Sequence, residues 1–421
     1  MEKKEKTSLI SGFYKLSIQD RVSFVKDFAD LSTEDERLFE DVLSAKSADN
    51  MIENVFGIFD FPLGVAVNFQ INGNDMLIPM AIEESSVVAA ASKAAKIARF
   101  SGGFQAKSGD PLMIGQIQLL DVDDVATAVE TILDHKQQML EVANAQDKIL
   151  VDLGGGAKDL EVRILEDDQG KMIVTHVLVD VRDAMGANAV NTMMEALAPV
   201  FEELTGGRVR LKILSNLADK RIAHARAVFD KDKMGGEQVV DAFLESYRLA
   251  ALDPYRAATH NKGIMNGIDA VIIATGNDFR AIEAGAHAYA AKDGKYTSLT
   301  TYRKDEHGNL VGEIEIPLAV GIVGGVGSVH PKAKLCKKIL GVQSAQELAE
   351  VIACVGLAQN FAAVFALSTV GIQKGHMSLH AKNIAMMAGA ENEEIEQVAN
   401  KLVEEGKVKL DRAKEILERI R

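Results

Sequence analysis

Read for its alternation of apolar and polar positions, the chain opens with two short helical patterns. Ser17 precedes IQDRVSFV and Ser32 precedes TEDERLFEDVL, each an N-cap residue before an apolar stripe, so residues 16–48 predict two amphipathic surface helices. β-Formers interrupted by Gly57, Pro62 and Gly64 follow at 51–69, and Asn72-Gly73 predicts a tight hairpin turn into MLIPMAI, where a sheet begins. Glu83 and Glu84 then stand before SSVVAAASKAAKIARF, an alanine-rich helix ended by Gly102-Gly103. Carboxylates at a helix entrance are favoured by the helix dipole in any protein, so the pair reads first as structural. Adjacent side chains there point apart, leaving at most one of the two to face a shared pocket.

From 112 to 214 the pattern becomes a self-contained unit: strand (LMIGQIQLL), helix (125–150), strand (DLEVRIL), turn, strand (MIVTHVLVDV), helix (187–204), strand (VRLKIL). That βαββαβ order predicts a ferredoxin-like arrangement with both helices on one face of a four-stranded antiparallel sheet. In VRDAMGANAVNTM, Asp183, Gly186, Ala187 and Asn188 fall where a strand hands over to a helix, and free N–H groups at a helix start can hold a phosphate. An ordinary N-cap explains Asp183 equally well. No GxGxxG occurs here or in GIVGGVG at 321–327, so a Rossmann site is not supported.

The stretch DPYRAATHNKGIMNGIDAVIIATGND, residues 253–278, interrupts an otherwise aliphatic chain with cations, amides, acids and three glycines. It reads as loop, buried strand (270–274) and loop, and Lys262 before the strand meets Asp278 after it only if the chain folds back. Residues 297–316 predict a hairpin turning through 305–309, and 317–327 a glycine-rich loop. Residues 344–369 are apolar nearly all round and predict a helix buried on every side. After GHMSLHAKN at 375–383 come two charged helices, the first with an Ile395, Val398, Leu402, Val403 stripe stopped by Gly406. His376 and His380 share a helix face at a spacing used in zinc sites, but with no HExxH and no Cys/His cluster they read as surface histidines, and no metal is expected.

The fold class is therefore α+β: a large mixed domain (1–110 and 216–374) around a buried central helix, an inserted ferredoxin-like βαββαβ domain (111–215), and a C-terminal helical lobe (375–421). A length of 421 residues fits such a division. The net charge of -14 repels polyanions and argues against nucleic acid, while leaving room for a local basic pocket for a small phosphorylated ligand. Cys336 and Cys354 lie in apolar surroundings without CxxC spacing and read as buried free thiols of a reducing compartment. The N-terminus has no apolar core of signal-peptide length, and the low-charge stretch 348–372 contains Glu350, Gln359 and Asn360, so it reads as a core helix rather than a membrane span. A cytoplasmic protein without membrane partners is expected.

Taken together, ENVFG at 53–57, EESSVVAAAS at 83–92, DVRDAMGAN at 180–188, LSNLAD at 214–219, DPYRAATHNKGIMNGID at 253–269, ATGND at 274–278, VGLAQN at 355–360 and GHMSLHAKN at 375–383 resemble motifs of the class II 3-hydroxy-3-methylglutaryl-coenzyme A (HMG-CoA) reductases. The resemblance spans residues 50–385. It implies reduction of HMG-CoA, by two hydrides from a nicotinamide cofactor, to mevalonate and coenzyme A, or the reverse reaction. It further implies that Lys262 stabilises the oxyanion formed on hydride addition, Glu84 exchanges protons with the substrate oxygen, Asp278 links the two, and His376, on a C-terminal flap, protonates the departing thiolate. Ser86, Arg256, Asn266 and Gln359 resemble substrate contacts, with Arg256 suited to a carboxylate or phosphate. Asp183 with Met185, Gly186, Ala187 and Asn188 resembles the dinucleotide-binding turn. Asp147, before the LGGG turn, would bond ribose hydroxyls and repel a 2′-phosphate, which favours NADH over NADPH. A homodimer with its site between subunits is also implied. One departure stands out: Ser85 follows the glutamate where the family commonly has proline.

A catalytically silent CoA-ester-binding protein of the same fold would lack one of Glu84, Lys262, Asp278 and His376, and all four are present. Another acyl-CoA reductase would need a catalytic cysteine or a Rossmann fingerprint, and neither is evident.

Overall fold

The structure, a computed structural model, describes residues 6–369 and 372–421, the side chains of 372–379 excepted. Helices α1 (Ile18–Ala29), α2 (Thr33–Glu40) and α3 (Ala45–Asp49) come first, with Ser17, Ser32 and Ser44 capping them through side-chain oxygens as the sequence predicts for the first two. Strands β1 (Leu63–Ile71) and β2 (Asn74–Ala81) form the hairpin, and Asn72 and Gly73 both take positive φ, the geometry of a two-residue turn matched to strand twist. Next come α4 (Val87–Arg99) and β3 (Phe104–Ser108). The chain then leaves the first sheet and builds a second from β4 (Leu112–Leu120), β5 (Gly156–Asp167), β6 (Gly170–Asp180) and β7 (Arg208–Ser215). Between β4 and β5 lie α5 (Val125–Asp134), α6 (Lys136–Asn144) and α7 (Lys148–Asp152), and between β6 and β7 lies α8 (Ala187–Thr205). The order β5-β6-β4-β7, antiparallel throughout, is the predicted ferredoxin-like topology. The single helix predicted over 125–150 is instead three, because Asp147 starts a new helix by accepting from the Leu150 amide at 2.9 Å.

The chain returns to the first sheet at β8 (Ile222–Phe229), which pairs antiparallel with β3 and completes the order β2-β1-β3-β8-β10-β9 with β9 (Thr300–Lys304) and β10 (Leu310–Pro317). Both ends of the inserted segment, the start of β4 and the end of β7, therefore connect to one strand pair, β3 and β8. Helices α9 (Lys231–Met234), α10 (Glu237–Leu252), α11 (Pro254–Ala274) and α12 (Phe279–Tyr289) separate β8 from β9. After β10 come α13 (Pro331–Leu340), α14 (Ala345–Ser368), α15 (Ile372–Met387), α16 (Glu393–Glu404) and α17 (Leu410–Ile420). Helix α14 is the predicted central helix: among the described residues it alone is long and apolar enough to cross a membrane, yet it is buried against α11, α4 and the first sheet. The last three helices enclose a separate apolar cluster around Ile384, Val398, Leu402 and Leu417.

The main correction concerns 254–274, which is one helix rather than a loop followed by a strand, while 275–278 is the predicted loop. Asp253 caps the Arg256 amide at 2.9 Å, Pro254 occupies the first turn, and helix runs unbroken to Ala274. Of the two glycines inside the helix, Gly263 has open space where a Cβ would stand, whereas Gly267 is a packing position. A Cβ on Gly267 would sit 2.8 Å from Gln359 Cβ on α14, and one on Gly356 would sit 2.9 Å from Ile268 Cδ1, so the two helices approach closely through reciprocal glycines.

Candidate active site

Helical periodicity in α11 puts Lys262, Asn266, Asp269 and Ile273 on one face, and all four line a cavity of about 1460 Å³. Glu84 comes from the turn before α4. That helix begins only at Val87, with no acid in its first turn, so dipole stabilisation in a first turn does not account for the carboxylate. Glu84 Oε2 instead accepts from Lys262 Nζ at 2.9 Å and Asn266 Nδ2 at 3.2 Å, across 178 residues of chain. Ser86 starts α4 with φ 73°, and it lines a smaller cleft beside Glu83 and Glu84. The left-handed residue turns the chain so that Glu84 faces α11 rather than extending the helix.

Asp278 lines the same cavity, but Arg280 Nε holds its carboxylate at 3.1 Å together with the Arg280 and Ala281 amides, as the N-cap of α12. Burial opposes ionisation there, yet those donors outweigh it and keep the carboxyl below its ordinary value. Lys262, Glu84 and Asp278 thus share one chamber, with the ion pair formed between the first two. Arg256 and Gln359 are not among the lining residues. Arg256 is half-buried in the first turn of α11, and Gln359 is buried where α14 meets Gly267. His376 lies among the side chains outside the description, and His380 is exposed on α15.

A further part of the lining is backbone. Gln146, Asp147 and the 184–189 turn bound the cavity. Gly186, at φ 93°, is the N-cap of α8, and a Cβ there would lie 2.3 Å from Val181 Cγ1. Asp183 is not that cap. Its Oδ1 accepts from the Ala345 amide at 2.8 Å, its carbonyl from Ile322, and a Cβ on Gly321 would strike Met185 N at 2.7 Å. The start of α8 therefore has no side-chain cap, and its first amides are suited to an anion. Asp147 Oδ1 caps α7, leaving a second carboxylate oxygen on the residue.

Sequence reasoning missed Arg221, which is buried, donates to the Ala184 and Val320 carbonyls, and so clamps this turn to the 317–322 loop. Burial pushes its pKa down to about 10, against the fields of Asp180 and Asp183. A lone arginine at a strand start gave no signal. Asp269 was given no role either, as it stood in the segment read as loop before the 270–274 strand.

A family model described as hydroxymethylglutaryl-coenzyme A reductase matches residues 17–381. The chain is 58% identical over 416 residues to the 3-hydroxy-3-methylglutaryl-coenzyme A reductase of Archaeoglobus fulgidus, covering 99% of this chain and 95% of that one. It is 38% identical to a probable reductase of the same description from Borreliella burgdorferi, over 89% and 86% of the two chains. Among solved structures, a 3-hydroxy-3-methylglutaryl-coenzyme A reductase from Streptococcus pneumoniae superposes with a TM-score of 0.84 at 42% identity, covering 98% of this chain and all of that one. A class II structure from the same organism, bound to NADPH in open conformations, gives 0.82 at 42% identity, over 96% and 100% of the two chains. With motifs, fold and near-complete coverage in agreement, this chain belongs to the hydroxymethylglutaryl-coenzyme A reductase family.

Proposed function

We propose that the protein reduces the thioester of HMG-CoA to mevalonate and coenzyme A at the cavity bounded by Glu84, Lys262 and the 184–188 turn. The observation that carries this reading is that a hydrogen-bonded acid–lysine pair and an uncapped helix start open into one chamber. A bound nicotinamide supplies hydride there. Lys262 stabilises negative charge developing on the carbonyl oxygen, and Glu84, within hydrogen-bonding reach of both Lys262 and Asn266, moves a proton to that oxygen. Asp278, fixed by Arg280 at the mouth of α12, sets the field around the lysine. Ser86 and Asn266 fit contacts to the acyl portion, and the resemblance adds Arg256 and Gln359. The Ala187 and Asn188 amides would receive a dinucleotide phosphate.

His376 is proposed as proton donor to the departing thiolate on a closing C-terminal flap, with 375–421 as that flap, 111–215 as the cofactor domain and 1–110 with 216–374 as the substrate domain. His376→Gln should slow thioester reduction more than reduction of free mevaldehyde, and equal loss on both would remove this role. NADH is the proposed preference, because Asp147 on the cavity wall would repel a 2′-phosphate. A second copy of the chain is the proposed partner, since 51–63 exposes Ile52, Phe56, Phe59 and Phe61 beside the cavity. The buried, free Cys336 and Cys354 support a cytoplasmic setting. Nicotinamide absorbance followed with HMG-CoA, using NADH and then NADPH, and with mevalonate plus coenzyme A in reverse, tests the reading. Oxidation of two nicotinamides per HMG-CoA is expected, and no HMG-CoA-dependent change in either direction would overturn it.

A further inference from the structure

Behind the Glu84–Lys262 pair lies a second set of ionisable groups that the roles above leave unused. Asp269 stands one turn beyond Asn266 on the cavity face of α11, and its carboxyl neighbours that of Glu283 on α12, close enough for each to bias the other's ionisation. Glu283 Oε2 lies 2.6 Å from His287 Nε2, and His287 Nδ1 lies 2.7 Å from the Tyr296 hydroxyl. The His287 side chain is 38% exposed, whereas Asp269 Oδ1 is buried with no hydrogen-bond partner among the described residues. The groups therefore form a continuous line from the solvent side of α12 to the cavity wall.

Two neighbouring carboxyls in a largely buried setting repel as a pair of anions, so the pair favours holding one proton between them. Burial, and then Glu283, raise the Asp269 carboxyl well above its ordinary value; the hydrogen bond from His287 lowers that of Glu283. The proton thus sits on Asp269, nearer the cavity. The cavity that the line reaches is also lined by Glu84, Lys262, Asp278 and Arg280, with Lys332 and Cys336 from α13, and Glu315 on β10 is engaged by Tyr289 and Lys292 at the far end of α12. None of these is hydrogen-bonded to Asp269 in the structure.

We infer that Asp269, Glu283 and His287 form a proton-entry line that recharges the reducing site from solvent. Reduction of a thioester to an alcohol and a thiol takes up two hydrides and two protons, and a Glu84 that has given its proton must regain one. A solvent proton bound at His287 passes to Glu283 as the N–H bond breaks and an O–H bond forms. Asp269 gives its own proton, by way of solvent in the cavity, to the Glu84 carboxylate, where an O–H bond forms as that of Asp269 breaks, and takes the replacement from Glu283. No electrons move and no co-reactant beyond solvent is needed. The plain alternative is a carboxyl clip joining α11 to α12 with no part in turnover.

This inference rests on the site reading above, and Lys262→Ala separates the two: if that variant keeps its turnover, the site reading itself fails. Asp269→Asn keeps the size and can donate to Glu283 but cannot relay a proton. With HMG-CoA and a nicotinamide cofactor, the line predicts kcat lower by about tenfold or more with KM nearly unchanged, an altered pH profile and a larger solvent isotope effect. His287→Ala should be slowed and then restored by added imidazole, because the vacated position is reachable from solvent. Wild-type kcat, pH profile and isotope effect in Asp269→Asn would overturn the proposal. A slower Asp269→Asn whose pH profile and isotope effect match wild type, with no imidazole rescue of His287→Ala, would identify a structural clip and overturn it equally.

Discussion

One part of the cavity wall is made of side chains and another of backbone. On α11, Lys262 and Asn266 project from a regular helix and are held by Glu84, so what this wall presents to the cavity lies in atoms beyond Cβ. At the 183–188 turn the useful groups are amides, exposed because Gly186 adopts a left-handed conformation and because Asp183 is drawn off to cap α14 instead of α8. The first wall should tolerate backbone adjustments but not loss of a charge. The second should tolerate changes of side-chain charge but not the addition of a methyl group.

The largest expected effect is at the side-chain wall. Lys262→Ala should lower kcat by about 10²–10³-fold, the scale of losing an oxyanion donor, while thermal unfolding stays near wild type because the lysine is largely exposed. Near-wild-type turnover would place the chemistry elsewhere. At the backbone wall, Gly186→Ala forces a Cβ to within 2.3 Å of Val181 at φ 93°, and should cost about 1–3 kcal/mol of stability while raising the KM for the nicotinamide cofactor more than that for HMG-CoA. An equal rise in both would erase the distinction between the walls.

Acid should act on the core behind both walls. Burial, reinforced by the Arg256 charge, pushes the His260 pKa from 6.5 down to about 3, and its Nε2 is held by Thr300 Oγ1 at 2.7 Å. The folded value lies below the unfolded one, so His260 contributes stability above pH 6.5 that is lost as pH falls towards 3, at up to ~1.4 kcal/mol per pH unit. Thermal melts at stepped pH should show this slope, and His260→Gln should flatten it. The smallest effect is expected from Asp147→Ala. It should narrow the ratio of kcat/KM for NADH over NADPH by a few-fold with little change in kcat, and a wild-type preference for NADPH would defeat the role given to Asp147.

Much of this architecture was legible before any coordinates. The βαββαβ unit, the Asn72-Gly73 hairpin, the 300–317 hairpin and the buried α14 follow from local patterns, where periodicity and turn chemistry act over a few residues. Motif order carried the family as well, whereas the direct pairing of Glu84 with Lys262, with Asp278 held by Arg280 instead of standing between them, appears only in the structure. Strands β3 and β8 were overlooked. In β8 the alternation of Ala223, Ala225, Ala227 and Phe229 with His224 and Arg226 was present, but alanine is a weak strand signal.

What the sequence determined by itself, then, was which elements form and which family they compose, because propensity, capping and alternation are properties of neighbouring residues. Tertiary structure decided the rest of the site. That 254–274 is helix goes with α14 accepting Gly267 at close approach, and helical rather than extended geometry is what aligns Lys262, Asn266 and Asp269 on one face. Whether Asp183 caps α8 or α14 depended on a contact across 162 residues, and the burial of Arg221 on a loop 99 residues away. Such choices are made by close packing between distant segments, which no local pattern records.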